Sequence, residues 1–520
     1  MLRILLVLFC LLLSSCLVGP DYKEPKKTIA THWMNNKSPA VKAAPIKEVI
    51  WWNVFKDPTL TALVNEGYQS NLSLQSAGVR VLQARAQLAE SVGKLYPQQQ
   101  AMVGDYSYYR LGGSQYSGIL PSELQTSSLG FSASWELDFW GKYRRAIRSN
   151  DAVFFASLAA YDYAIVTLTA DIANAYIAIR TDEEQIAVTN QNIKLQIEGL
   201  RIAKARYNNG QTSLLDVEQA QTTLAETQAS LPPLISDVQK QKDALGVLLG
   251  TIPTDITALM SKAKSRGIPR APATVEVGIP REAIAKRPDI FQARMEAVSQ
   301  AEAIGAIKAE LYPALSLVGS FDFKASTIGQ SSLKDMFNWS NRSITAGPQL
   351  GWSILNYGQI TNAVRVQDAA FQQSLFSYLE SVLKAQQEVQ DNITAYIEAR
   401  NATYLLTKAN TAAIMTVKLA MIRYEEGEAD FTTVIDAERQ QLRVQTSLTN
   451  SKGEIAKALV GIYRSLGGGW QIRGCNDIVP EQVKAQMASR TNWGNLLEQK
   501  NHQFPLTKGQ QTKELYLPNW

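Results

Sequence analysis

Histidine is nearly absent from this chain: its 520 residues hold only His32 and His502, both in stretches without periodicity. A histidine-built metal site or a Ser-His-Asp triad has almost nothing to stand on, and much of general acid–base catalysis goes with it. We expect a protein that is not an enzyme and uses no cofactor or metal. Charge of one sign is scarce too. A formal net charge of +5 without a Lys/Arg block gives no footing for nucleic acid. After residue 16 no apolar run approaches the length of a transmembrane helix, so a mature chain that crosses a membrane is expected to do so in strands.

Cysteine is limited to Cys10, Cys16 and Cys475. Met1-Leu2-Arg3 precedes the run ILLVLFCLLL, which is too short to span a bilayer but suits a secretory h-region. The run ends in Leu13-Ser14-Ser15-Cys16, and small residues before a cysteine look like a bacterial lipobox. That likeness implies a signal peptide over 1–15 and a mature chain lipidated at Cys16. The alternative is an ordinary signal peptide with an incidental cysteine. With Cys10 removed and Cys16 blocked, Cys475 would stand alone and form no intramolecular disulfide.

What the chain does have is repetition. RYNNGQTSLLDVEQAQ begins at Arg206 and RYEEGEADFTTVIDAE at Arg423; Leu-Tyr-Pro at Leu95 returns at Leu311. Trp135, Leu137, Gly141, Asp151 and Phe154 return in order as Trp352, Ile354, Gly358, Asp368 and Phe371. This is a tandem duplication. In the first copy Ile165, Ile172, Ile179, Ile186, Ile193, Leu200 and Tyr207 recur every seventh residue, the mark of a supercoiled seam. A helix from about Lys142 to Asn209 would run roughly 100 Å at 1.5 Å per residue. Its counterpart spans about Gln359 to Glu426. Both end at a glycine turn, Gly210 or Gly427, and helices return over about 213–249, interrupted at Pro232-Pro233, and about 432–465. Helices over about 58–94 and 281–310 precede the strands. We expect a lipidated segment at 16–56, repeat one at 57–250, a linker at 251–280, repeat two at 281–467, and a C-terminal segment at 468–520.

Each copy also carries two strand candidates, placed at about 100–139 and 314–355 and separated by polar connections, Leu111–Ser127 and Ser331–Asn341. In FSASWELDF, Phe131, Ala133, Trp135, Leu137 and Phe139 alternate with Ser132, Ser134, Glu136 and Asp138. One face would be apolar and the other polar. Four strands cannot close a barrel, and an open edge cannot be left in lipid. Either the strands pack as an ordinary sheet on a core, or several chains contribute to one barrel.

Val18-Gly19-Pro20-Asp21-Tyr22, Trp51-Trp52 with Phe55-Lys56-Asp57-Pro58, Arg287-Pro288-Asp289-Ile290, both Arg-Tyr-x-x-Gly turns, and Ser465-Leu466-Gly467-Gly468-Gly469-Trp470 occur in one order. Together they resemble the outer-membrane efflux proteins of the TolC type, within them the lipoprotein channels that serve resistance–nodulation–division pumps, along nearly the whole mature chain. The resemblance implies a mainly α fold with a small β part: a homotrimer sharing a twelve-stranded outer-membrane barrel, continued by a periplasmic helical tunnel. Around it the N-terminal segment, residues 251–280 and the C-terminal segment would form a belt, and the polar end from about Asn501 is expected to be disordered. It implies passive conduction as the exit duct of a tripartite pump, with a periplasmic adaptor and an inner-membrane transporter as partners. A protein-secretion exit duct is the nearer rival; a periplasmic coiled-coil scaffold lipoprotein is the rival of another class.

Under that resemblance Phe131, Trp135, Leu137 and Phe139 would face lipid, and Glu136 and Asp138 the lumen. The tip residues Arg206, Tyr207, Gly210, Arg423 and Gly427 would contact the adaptor. Tyr424, Asp436 and Arg439 would tie the periplasmic gate shut, Asp436 and Arg439 sharing a helix face at i and i+3. Thr432 stands where relatives often carry a leucine, which puts an apolar gate ring in doubt.

Overall fold

A computed structural model describes residues 17–498, apart from 35–37, 43, 45–49, 111, 113–122, 253–255, 257–259, 261–266, 329–332 and 475. Cys16, most of the first strand connection and the tail from Asn501 lie outside the described residues. Two units with the same order of elements follow one another. The first holds α1 (Pro58–Ser70), α2 (Leu72–Gly93), β2 (Gln99–Arg110), β3 (Glu123–Glu136), α3 (Lys142–Asn208), α4 (Leu214–Ala229) and α5 (Leu231–Leu249). The second holds α6 (Pro280–Ala285), α7 (Pro288–Lys308), β5 (Ala314–Ser326), β6 (Arg342–Gly351), α8 (Gln359–Glu425) and α9 (Phe431–Ser465). A short α10 (Glu481–Arg490) follows, and a two-stranded parallel pair joins β1 (Val41–Lys42) to β4 (Val275–Glu276) beside the helices.

The expected single helix at 58–94 is two helices. Asn71 leaves the helical region at ψ 120°, and its side-chain carbonyl accepts from the Leu74 amide at 2.7 Å, so one residue ends α1 and caps α2. The helix at 281–310 is likewise divided, because Pro288 disfavours helical geometry at Arg287. The return helix of the first unit breaks at Ser230, two residues before Pro232, and Leu231 and the prolines open the next helix. In the second unit α9 runs uninterrupted for 35 residues.

Both 67-residue helices leave their strands through a glycine in the left-handed region, Gly141 at φ 81° and Gly358 at φ 80°. Any other L-residue would pay a steric penalty there. The first part of the heptad seam of α3 lies in the protein's core: Ile165, Ile172 and Ile179 have no exposed surface, whereas Ile186 and Leu200 are half-buried and Tyr207 is exposed, and α3 packs on α2, α4, α5, α7 and α9. By contrast α8 packs chiefly on α7 and α9, with smaller contacts to α6, and Leu383, Tyr404, Leu405, Met415 and Leu419 on it are exposed.

Contrary to the reading of the bare sequence, α3 and α8 each contain an 18-residue stretch apolar enough to cross a membrane by length and composition. In α3 that stretch is 61% buried within the protein, so its apolarity is explained by packing. Small residues such as Ala170, Ala173 and Ala175 raise mean hydropathy without forming a visible aliphatic run, which hides the stretch in the bare sequence.

The four long strands form one antiparallel sheet in the order β2-β3-β5-β6. The strands are shorter at one end than the alternation suggests. β3 stops at Glu136 and β6 at Gly351, so Leu137, Asp138 and Phe139 lie past the sheet, as do Trp352 to Leu355.

Candidate functional site

Register separates the sheet's two faces. Met102 pairs with Phe131 and Phe131 with Phe321, which pairs with Ile344; Trp135 pairs with Leu317, and Leu317 with Pro348. Those residues share one apolar face. The other face carries Asp105, Ser128, Ser132, Ser134, Asp322, Ser320, Ser343 and Thr345. Among the described residues no second sheet or helix layer covers either face, and only Met336, Phe337 and Trp339 lie against the apolar one, at its far end; Met102, Phe131 and Ile344 are each more than 60% exposed. Both outer strands, β2 and β6, keep one unpaired edge.

At the strand–helix junction the expected lumen residues have other duties. Asp138 accepts from the Tyr143 and Arg144 amides at 3.0 Å each and from Arg144 Nε at 2.8 Å, with its side chain 6% exposed. It holds the first turn of α3, where a carboxylate is favoured by the orphan amides and the helix dipole, and does not offer a free charge. Glu136 ends β3 on the polar side and accepts from the Tyr143 hydroxyl at 3.0 Å; burial and this carboxylate push the Tyr143 hydroxyl well above its ordinary range.

On the apolar side Phe131 is open, whereas the Trp135 indole donates to the Leu95 carbonyl at 3.1 Å. Its repeat partner Trp352 donates to the Leu311 carbonyl at 3.1 Å. Both tryptophans thus tie a strand end to the Leu-Tyr-Pro that closes the preceding helix. Leu137 and Phe139, being past the strand, are half-buried in the junction. The first described residues arrive at the same place: the Val18 amide donates to the Trp140 carbonyl at 3.1 Å, and a Cβ on Gly141 would come within 2.5 Å of Leu17.

At the opposite end, each hairpin turn closes with the same pair of bonds. Gln211 donates to Arg206 and Gly210 to Tyr207; Glu428 donates to Arg423 and Gly427 to Tyr424. Glycine is required because Gly210 and Gly427 sit at φ 72° and 82°. Tyr207, Gly210, Arg423 and Gly427 are exposed. Arg206, expected beside them as an open contact residue, instead reaches across to the other hairpin. Its guanidinium lies 4.7 Å from the Tyr424 ring centroid and donates to the carbonyls of Tyr424 and Glu425.

Tyr424 is buried at 2% exposure, its hydroxyl bonded to Asp216 at 3.1 Å and its ring 4.9 Å from Phe431. Arg439 pairs with Glu226 of α4 at 3.2 Å and does not meet Asp436. Asp436 and Thr432 are exposed, and Asp436 has no ion pair among the described residues. Sequence reasoning missed Asp216, Glu226 and Glu438. Glu438 lies 4% exposed in the α9–α3 seam beside Gly199, its Oε1 without a hydrogen-bond partner, and burial alone pushes its carboxyl up to about 7. Its place was legible: Phe431, Val434, Glu438, Gln441 and Gln445 follow helical spacing, and the last two face Asn192.

Comparison with known proteins gives a consistent picture. Nodulation protein T of Rhizobium leguminosarum bv. trifolii is 27% identical over 465 residues, 89% of this chain and 96% of that protein. The pyoverdine export outer membrane protein OpmQ of Pseudomonas aeruginosa is 27% identical, covering 90% of this chain and 96% of that one. The solved outer-membrane channel OprN superposes with a TM-score of 0.81 at 29% identity, over 88% of this chain and all of that one. The model of one family, outer membrane efflux protein, matches twice, at residues 63–251 and 279–468. This chain belongs to the outer membrane efflux protein family.

Proposed function

We propose that the chain is the outer-membrane exit channel of a tripartite efflux system of the resistance–nodulation–division type. The observation that carries this reading is the single-layered sheet, apolar on one face, polar on the other and open at both edges, leading through Gly141 and Gly358 into two helices of 67 residues. A bilayer does not tolerate unpaired strand edges. Pairing β6 of one copy with β2 of the next satisfies them, and three copies close a twelve-stranded barrel with the polar face inward. The exposed apolar side chains of α8 would be covered in the same assembly. A coiled-coil scaffold has no use for such a sheet.

Residue 16 precedes a segment held at the strand–helix junction, so an acyl group on Cys16 would enter the periplasmic leaflet there. A relative that is 23% identical, from Salmonella typhimurium, is described as a probable outer membrane lipoprotein. Other relatives are described as serving pyoverdine export, toluene efflux and cation efflux. Cargo so varied is consistent with passive conduction, with energy and selection supplied by an inner-membrane transporter through an adaptor seated on the tips.

In this reading the gate lies at those tips. Arg206, Tyr424 and Asp216 lock the second hairpin onto the first within one copy, Arg439 adds its pair with Glu226, and Asp436 is left to meet a neighbour. Each exposed pair contributes only about 0–1 kcal/mol, so several together can hold a gate and still yield to a partner. The test is a cysteine pair across the β6–β2 edges, Ala346→Cys with Met102→Cys and nearby registers. Oxidation of the full chain in outer membranes should yield covalent trimers, and detergent-extracted particles should image as a threefold tube. A monomeric solid rod would refute the channel.

A further inference from the structure

The described residues 333–341, which lead into β6, have a choice of two sides of the sheet, and they take the apolar one. Ser127, Leu129 and Phe131 pair with Ala325, Phe323 and Phe321, which places all six on the face that the barrel reading turns outward. Met336 lies 3.0 Å from Ser127 Oγ through its sulfur, Phe337 meets Phe323 edge-on at 5.8 Å, and Trp339 lies 6.4 Å from Phe321. Beneath them Ala325 is 3% exposed. The segment is therefore folded down the outside of the wall, at the end of the sheet remote from the helices.

What covers its outer surface is the remaining question. Phe337 and Trp339 keep about two thirds of their surface open even after packing. Tyr106 and Tyr108, on the same face and at the same end, are also exposed. The Arg342 guanidinium stacks on Trp339 at 4.6 Å and donates to its carbonyl at 2.6 Å, setting a cation directly beside the ring. Aromatic rings with a polar or cationic fringe are suited to the boundary between acyl chains and anionic headgroups, where each part meets its preferred solvent. The surface is also continuous with the apolar wall below it.

We propose that residues 333–342 form an outward-folded interfacial anchor that binds the lipid of the outer leaflet, Phe337 and Trp339 entering the acyl–headgroup boundary and Arg342 meeting the lipid phosphates. The proposal rests on the barrel reading above. It sets the depth of the barrel from its outer rim, opposite the lipid expected at residue 16, and keeps residues 333–341 off the pore mouth.

The test places nitroxide labels at Trp339→Cys and Phe337→Cys, one at a time, in the full lipidated chain carrying Cys475→Ser and reconstituted as trimers in vesicles containing anionic lipid. Power saturation compares collision with oxygen, which concentrates in lipid, and with a water-soluble nickel chelate. Labels at Phe131→Cys and Ser320→Cys report the wall and the lumen. We expect both loop labels to match position 131, with an oxygen-to-nickel ratio several-fold above that at 320. A loop ratio equal to that at 320 while 131 stays lipid-like overturns the anchor alone. Loop labels immobilised and shielded from both reagents would show that a neighbouring copy is the occupant, and would also overturn it. A water-like 131 overturns the barrel reading and the anchor with it.

Discussion

Replacing Glu438 by glutamine should remove a pH-dependent weakness from the tip seam. The carboxyl is enclosed between α9 and α3, and its neighbour Arg439 is turned outward to Glu226. Desolvation alone carries it from 4.5 to about 7. An acid whose value is raised by packing binds its proton more tightly in the closed seam than in an opened one. Seam stability is therefore complete below about 4.5 and is lost as pH rises through about 7. At roughly 1.4 kcal/mol per unit, the full loss is about 3 kcal/mol, on the order of a hundredfold in the opening equilibrium. Glutamine keeps the shape without the charge. Native-state hydrogen exchange of the segments around Gly199 and 434–441, compared between the two proteins at each pH from 5 to 8, cancels intrinsic exchange rates. The wild-type chain should lose protection relative to the variant by about two orders of magnitude across that range. Parallel pH profiles would refute the reasoning, since an unpaired charge would then have found another partner.

Arg206→Ala removes a stacked cation and two bonds to carbonyls of the facing tip, a loss on the order of 2–3 kcal/mol, and should raise closed-state conductance in planar bilayers; an unchanged trace would show that the clasp carries no load. Asp436→Ala with Arg439→Ala should also raise that conductance, and no change would remove both residues from the gate. Gly210→Val with Gly427→Val forces branched residues into left-handed geometry, so cross-linking to the adaptor should fall while trimer content holds; retained cross-linking would place the contact elsewhere. Gly130→Ala would set a Cβ 2.3 Å from Asp322 Cβ and should abolish heat-resistant trimers while leaving helical content intact, as read by circular dichroism.

Long-range periodicity made much of this architecture legible. The isoleucine heptad of α3 and the glycine turns act locally and repeat, so spacing alone placed the long helices to within a residue or two. Single side chains that end an element were harder to see. Asp138 continues the polar alternation of β3 in sequence, yet it is polar because it receives the first amides of α3, and the strand stops before it. Asn71 likewise ends one helix by starting another. Contacts between the repeats were beyond pattern reading altogether. Arg206 meets Tyr424 across the whole duplication, and its partner cannot be inferred from neighbours along the chain. The Met336–Trp339 segment reads as a polar connection, and its side of the sheet is settled only by where Phe321 and Phe323 point.

A sheet with one layer and two open edges also has a genetic consequence. If the barrel is completed only by three copies, each copy supplies a seam on either side, and a copy with a spoiled edge disables two sound neighbours. In a cell making equal amounts of sound and defective chains that mix freely, only about one ring in eight would be wholly intact. Lesions at β2 or β6 should therefore be dominant, whereas lesions that stop the chain from folding at all should be recessive.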